Sequence, residues 1–188
     1  MMDYEKAYGQ MHEANDRSFS GYSIKRYVQE IAGLIRSHGV VNFTKSGIEE
    51  ATRLLDYGSG KGYQYLAKRV HEHWGGILPV CYDPGVVQLR TKPIGKFSGI
   101  ICTDVMEHIE EADVDKVLAD IFRFAANHGF VFFVIGIDQS HRKKLPDGRD
   151  VHVTIKPPEW WDAKLAKYQR QGLTIWAVYE KAKKARIP

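Results

Sequence analysis

The sequence predicts an α/β fold in which a doubly wound, mostly parallel sheet carries helices on both faces. Apolar strand-like segments alternate with segments whose apolar residues recur at helical spacing, which is the pattern of successive βαβ units. Residues 130–137 form a continuous apolar run, typical of a strand that is covered on both faces. Ligands of such sheets bind beyond the carboxyl ends of the strands, so polar residues at those ends are the candidates for a site.

The first half of the chain predicts two helices and three strands. Apolar residues at helical spacing over 24–35 predict the first helix, with Ser23 as its N-cap and Gly39 at its end. A second helix is predicted from Tyr63 to near Gly75. The strands are predicted at residues 52–57, 78–83 and 98–104.

The second half of the chain contains the clearest helix. Asp113 is its predicted cap, a buried stripe runs from Val114 to Ala125, and Gly129 ends it. The remaining predicted elements are a strand at 130–137, a short strand or extended loop at 151–155, a helix begun by Pro157-Pro158 and ended by Gly172, and a strand at 173–180.

Length and composition predict one domain spanning residues 1–188. A chain of 188 residues with 44% hydrophobic content can bury a sizeable core. We expect a helical cap or lid at 1–45, a ligand-binding core at 50–140, and a substrate loop, helix and last strand at 141–188. No apolar run is long enough to span a bilayer, and Cys81 and Cys102 lie in apolar strand-like segments. These features favour a cytoplasmic chain with reduced cysteines.

The net charge of +4 is mild and unevenly distributed. Two basic clusters, at residues 141–144 and 181–186, contrast with an acidic segment at 107–115. A basic cluster at a chain end is usually a solvated tail. A phosphate-bearing substrate or a nucleic acid is the alternative that these clusters leave open.

Three alternating glycines, Gly58, Gly60 and Gly62, follow the first predicted strand in the segment LDYGSGKGYQY. A phosphate-binding loop of the GxxxxGK[ST] type does not fit, because Lys61 lies among the glycines and neither serine nor threonine follows it. The GxGxxG dinucleotide pattern is one residue longer than the spacing here, and Asp56 would repel a pyrophosphate. A ligand carrying a cationic group fits the carboxylate and the glycines together, since glycines let the backbone approach the ligand closely.

The segment DYGSGKG resembles motif I, D/E-x-G-x-G-x-G, of the class I S-adenosylmethionine-dependent methyltransferases. The acidic residue expected about 20 positions further on, for the ribose hydroxyls, is Asp83, which lies 21 residues after Gly62. The segment IICTDVMEHI also resembles the motif IV region of small-molecule methyltransferases of the ubiquinone-biosynthesis type, with Asp104 ending the strand. Three motifs in this order imply a Rossmann-like methyltransferase fold.

The resemblance implies S-adenosylmethionine as the cofactor. The residues that it assigns to the cofactor pocket are Asp56, Gly58, Ser59, Gly60, Gly62, Tyr82, Asp83, Pro84, Asp104 and Val105. The chain departs from the family between Asp83 and the strand at 98–104, where only about 14 residues replace a helix and a strand. We therefore expect a shortened third-strand region and assign no adenine contact there.

Methyl transfer from a sulfonium is an in-line displacement, for which a protein supplies mainly alignment and exclusion of water. Where the acceptor is a hydroxyl, the candidate bases are His108, His152 and Asp104. Some RNA-end methyltransferases bind a divalent cation through an E-x-x-H…H arrangement, for which the candidates here are Glu107, His108, His141 and His152. Glu107 and His108 are adjacent here, so they should not face one ion as a helical i,i+3 pair would, and we expect no metal site.

The sequence thus predicts a methyltransferase that acts on an oxygen or nitrogen of a small-molecule acceptor, as a monomer or homodimer and without a membrane segment. Two alternatives remain open at this point: a nucleotide or nucleic-acid methyltransferase, and a protein that binds S-adenosylmethionine without catalysis.

Overall fold

The computed structural model describes residues 9, 21–39, 53–140, 144–145 and 147–181. Within this part of the chain the strands form one five-stranded, all-parallel sheet in the order β2-β1-β3-β4-β5. The strands are β1 (Leu54–Tyr57), β2 (Val80–Tyr82), β3 (Phe97–Thr103), β4 (Ala125–Gly136) and β5 (Leu173–Glu180). The predicted fold class is confirmed, and no strand of the described chain is antiparallel to the others.

Four α-helices accompany the sheet in the described chain: α1 (Val28–Ser37), α2 (Tyr63–Leu66), α3 (Val114–Phe124) and α4 (Pro158–Leu165). Short 3₁₀ helices occupy Tyr22–Tyr27, Val70–Trp74, Met106–His108, Glu111–Asp113 and Ala166–Tyr168. Residues 84–96 contain neither helix nor strand, so the expected shortening between β2 and β3 is confirmed.

Alternate residues of the strands feed two separate cores, one on each face of the sheet. In β4, Val131, Phe133 and Ile135 pack with α3 and α4, whereas Phe130, Phe132 and Val134 pack with α1 and the residues around α2. All six of these side chains are at most 1% exposed. A strand buried on both faces must be apolar at every position, which explains the uninterrupted run in the sequence.

The predicted second helix is wrong in length. It is a single helical turn, α2, followed by a separate 3₁₀ helix at Val70–Trp74. Arg69 has φ of +47°, and this left-handed backbone interrupts the helix between the two. Leu66, whose helical spacing from Tyr63 and Val70 led to that prediction, is 76% exposed.

The end predicted for the clearest helix is also wrong. We expected the helix to continue to Gly129, but α3 ends at Phe124 and β4 begins at Ala125. Ala125 pairs with Phe97 at the start of β3, and this sheet pairing extends β4 five residues earlier than the apolar run suggests. Residues 151–155 are loop rather than strand.

The order of strands reverses next to β1, which has β2 on one side and β3 on the other. The carboxyl ends of parallel strands lie at one edge of the sheet, and a crevice opens at such a switch point. The loops after β1, β2, β3 and β4 therefore meet at this edge. We call it the carboxyl edge.

Candidate active site at the carboxyl edge

The glycine loop after β1 is held in left-handed backbone conformations. Gly58, Gly60 and Gly62 have φ of +76°, +57° and +71°, respectively. A Cβ atom added at Gly58 would lie 2.3 Å from Cγ2 of Val105, which follows β3. Glycine is therefore required at position 58 for two reasons: its left-handed backbone conformation and the close approach of the two loops.

The loop is also fastened to the end of β2. The amides of Gly58 and Ser59 donate hydrogen bonds to the carbonyl oxygen of Tyr82, at 2.7 and 3.1 Å. Oδ2 of Asp83 accepts a bond from the amide of Gly60 at 2.8 Å. Asp83, predicted to bind ribose hydroxyls, thus orders the glycine loop, and carboxylate oxygens can each accept more than one hydrogen bond.

Asp56 lies beneath the loop and is 2% exposed. Its Oδ2 accepts hydrogen bonds from Nε2 of Gln64 at 2.9 Å and from the hydroxyl of Tyr65 at 2.8 Å. Burial raises the pKa of Asp56 to about 6, with a smaller contribution from the charge of Asp83, against the effect of the two hydrogen bonds. Asp56 therefore anchors α2 to the end of β1, a task that its place in the motif does not indicate.

The turn after β3 begins at Asp104, which has φ of +55°. Aspartate tolerates this left-handed conformation better than most residues. Its amide donates a hydrogen bond to the carbonyl of Val134 in β4, at 3.0 Å. The turn directs Val105 toward the glycine loop and begins the 3₁₀ helix Met106–His108 at the carboxyl edge.

Glu107, which the sequence analysis considered as a cation ligand and set aside, is a buried residue of the carboxyl edge. It is 1% exposed, and its Oε1 accepts a hydrogen bond from the amide of Gly136 at 3.0 Å. Its Oε2 has no hydrogen-bond partner among the described residues. Burial, assisted by the negative charge of Asp104, raises the pKa of Glu107 to about 8. Its place beside His108 in the DVMEHI segment was the available signal.

His108 and His152 lie next to each other although 44 positions separate them in the sequence. Their ring centroids are 5.0 Å apart in an edge-to-face arrangement. Nδ1 of His108 lies 2.9 Å from the carbonyl of Val151, and Nδ1 of His152 lies 2.6 Å from that of Asp138. A carbonyl can only accept, so each Nδ1 carries a proton, and in the neutral form of each ring the lone pair is on Nε2.

Glu107, His108 and His152 form one cluster, in which a ligand atom from each residue lies within 4.8 Å of the others. The expectation that Glu107 and His108 cannot face one point is wrong. That expectation assumed a regular helix, whereas both residues lie in a three-residue 3₁₀ turn that ends in extended backbone at Ile109. His141, the other histidine considered for an ion, lies outside the described residues.

The site and the fold agree with a comparison against protein families. A family model for a methyltransferase domain matches residues 17–176. The chain belongs to this family and is a class I S-adenosylmethionine-dependent methyltransferase, whose cofactor is S-adenosylmethionine. Searches of curated proteins and of solved structures found no match.

Most residues of the two basic clusters lie outside the described part of the chain. Residues 141–143 and 182–188 lie outside the described part of the chain, and Lys144 pairs with Asp150 at 3.4 Å. Of the helices in the described ranges, none has the length and apolar character needed to cross a membrane.

Proposed function

We propose that this methyltransferase transfers the methyl group to an oxygen or nitrogen of a small-molecule acceptor, which binds beside His108 and His152. The observation that carries the proposal is the pair of imidazoles 5.0 Å apart, on loops that follow β3 and β4. Both loops begin at the carboxyl edge, on which the cofactor motifs also converge. An acceptor that must lose a proton has a suitable base within reach there.

The cofactor would lie over the glycine loop. Gly58, Gly60 and Gly62 allow the ligand to approach the backbone without contact from a Cβ atom. Asp83, Tyr82 and Pro84 at the end of β2 would border the ribose, and Asp56, Ser59, Asp104 and Val105 complete the proposed pocket. The carboxylates favour a ligand that carries a sulfonium and an ammonium group.

In the proposed reaction a lone pair of the acceptor forms a bond to the methyl carbon. When bound, S-adenosylmethionine would supply this methyl group, and the electron pair of the carbon–sulfur bond would remain on sulfur as a neutral thioether. The proton of the acceptor passes to Nε2 of His108 or His152, with Asp104 as a further candidate. Such a base contributes typically about 10²–10⁴ in rate.

Calorimetry with S-adenosylmethionine and its demethylated product tests the cofactor half of the proposal. Asp83→Ala should weaken binding about 10- to 100-fold, because a charged hydrogen bond contributes roughly 1.5–3 kcal/mol. Asp113→Ala, an exposed aspartate at the start of α3, is the matched control and should bind as the wild type does. Equal affinity of the folded Asp83→Ala variant would show that Asp83 does not contact the cofactor.

A turnover assay with a labelled methyl group tests the acceptor half. The panel should include small alcohols, phenols and amines together with a short RNA. Transfer to a small molecule supports the proposal, and transfer to the RNA alone contradicts it. Cofactor binding without transfer to any acceptor would favour a binding protein without catalysis.

A further inference from the structure

The cluster of Glu107, His108 and His152 has the composition of a metal site. One potential ligand atom of each residue lies within 4.8 Å of the other two. Ligand atoms of one cation with a coordination distance of about 2 Å lie at most about 4 Å apart, so small side-chain rotations would bring these three atoms around a single ion. Glu107 and His108 come from the turn after β3 and His152 from the loop after β4, so the fold itself brings the three side chains together.

The carboxyl group of Glu107 is only partly compensated for its burial. Oε1 has the amide of Gly136 as a partner, but Oε2 has none in the described part of the chain. Neither Glu107 nor Asp104 forms an ion pair with a described residue. A buried carboxyl group that is only half satisfied is costly, and a cation bound to Oε2 would remove the deficit.

The two histidines are oriented as metal ligands usually are. Each ring uses Nδ1 to contact a backbone carbonyl, that of Val151 for His108 and that of Asp138 for His152. A metal-bound histidine almost always donates its other N–H to a carbonyl or carboxylate, which fixes both the tautomer and the ring orientation. In the neutral form of each ring the lone pair is thereby placed on Nε2, away from the carbonyl.

Gly136 keeps the cluster compact. A Cβ atom at this position would lie 2.8 Å from Oε1 of Glu107 and 3.0 Å from Cε1 of His152. The carboxylate and the imidazole therefore meet over the end of β4 only because no side chain stands between them.

We propose that Glu107, His108 and His152 bind a divalent transition-metal cation. Two imidazoles and one carboxylate are donors that suit zinc, iron and related ions rather than magnesium, which prefers oxygen ligands. Three protein ligands leave coordination positions open. The inference rests on the proposed function in one respect only, namely that an acceptor oxygen would occupy an open coordination position. In that case the cation, and not an imidazole, would favour loss of the acceptor proton.

Cobalt(II) is the probe that tests the site, since its absorption spectrum reports the ligands directly. The full chain, treated with a chelator and then dialysed, should bind one equivalent of cobalt(II). His152→Asn should raise the dissociation constant at least about 100-fold, the upper end of what loss of an outer-shell partner costs. Asparagine can still donate to the carbonyl of Asp138 but has no group in the place of Nε2.

Two further variants make the test specific. Glu107→Gln keeps an acceptor for the amide of Gly136 and removes the charge, so it should also lose cobalt(II) affinity while remaining folded. His73→Asn, at an exposed histidine, is the control and should bind as the wild type does. Circular dichroism of each metal-free variant shows whether the fold is retained.

The possible outcomes of these experiments distinguish the proposed metal site from the proposed methyl-transfer activity. If the wild type binds no cobalt(II), or if folded His152→Asn and Glu107→Gln bind it as the wild type does, the cluster is a hydrogen-bonded part of the core and the inference is wrong. The proposed function would survive that result, because cofactor binding is measured on the metal-free chain. Cobalt(II) binding by a chain that transfers no methyl group would support the metal site and overturn the proposed function.

Discussion

At the scale of single residues, Gly58 decides how closely the loops after β1 and β3 approach each other. Its φ is +76°, and an added Cβ would lie 2.3 Å from Cγ2 of Val105. Gly76 is a useful comparison, because its φ of +80° is similar and no atom lies within 4 Å of its added Cβ. Comparing alanine substitutions at these two glycines separates the cost of backbone strain from the cost of steric contact.

Gly58→Ala should lower the free energy of unfolding by about 2–4 kcal/mol. Roughly 1–2 kcal/mol comes from the left-handed backbone and the rest from contact with Val105. Gly76→Ala should show only the backbone part. Denaturant unfolding of both variants measures the difference, and equal losses would mean that Val105 moves aside without cost.

The second prediction at the scale of single residues concerns Asp56 and the pH dependence of stability. Its pKa is about 6 in the folded chain and 3.8 as the ordinary value. At pH values between these two pKa values, the folded state binds the proton more tightly than the unfolded state does. The protonated Asp56 carboxyl group therefore contributes fully to the free energy of unfolding below about pH 4, and this contribution falls as the pH rises toward 6. The loss amounts to about 3 kcal/mol.

The Asp56→Asn variant should lack this pH dependence. The unfolding free energy of the wild type, measured relative to that of the variant, should therefore fall between pH 4 and 6 in the absence of cofactor. Asp113→Asn, at an exposed position, should leave the wild-type profile unchanged. A difference that stays flat over this range would contradict the raised pKa of Asp56.

At the scale of elements, α3 is held by burial of one face. Leu118 and Ile121 are fully buried against the sheet, whereas Lys116 on the same helix is exposed. The helical period of the apolar residues reflects this one-sided packing. Helix α2 is a single turn whose buried residues are Gln64 and Tyr65. The helical spacing of Tyr63, Leu66 and Val70 therefore gave a misleading prediction.

Leu118→Ala should destabilise the chain by about 2–5 kcal/mol, because it removes buried atoms and leaves a cavity between α3 and the sheet. Lys116→Ala should change the unfolding free energy by less than about 0.5 kcal/mol. Thermal or denaturant unfolding measures both. A loss below about 1 kcal/mol for Leu118→Ala would mean that the core around α3 collapses to fill the space.

At the scale of the whole molecule, the site depends on loops from four strands meeting at one edge. A ligand that binds only the folded chain stabilises all of it, by about 2.7 kcal/mol at a concentration 100 times its dissociation constant. The sheet is continuous from β2 to β5, so this stabilisation is shared by both cores.

Saturating S-adenosylmethionine should therefore raise the melting temperature by about 5–10 °C for a chain of this size. The shift should be much smaller for Asp83→Ala at the same concentration. Differential scanning fluorimetry measures both. An unchanged melting temperature of the wild type would contradict cofactor binding at the carboxyl edge.

The sequence by itself determined the fold class, the family and most strands. Two-sided burial makes strands such as β4 apolar throughout, and DYGSGKG with Asp83 and Asp104 encodes a cofactor motif in local spacing. Such signals depend on residue types and their spacing along the chain, so they can be read without knowing the fold.

Only the tertiary structure decided that Glu107, His108 and His152 lie together at the carboxyl edge. His152 lies beside Glu107 and His108 because the loops after β3 and β4 leave adjacent parallel strands. The spacing of these residues along the sequence does not indicate that they are close in space. The anchoring of α2 by Asp56, and the lack of a partner for Oε2 of Glu107 in the described chain, have the same origin. Burial and pairing of polar groups are set by contacts between segments far apart in the chain, and these exist only once the sheet has formed.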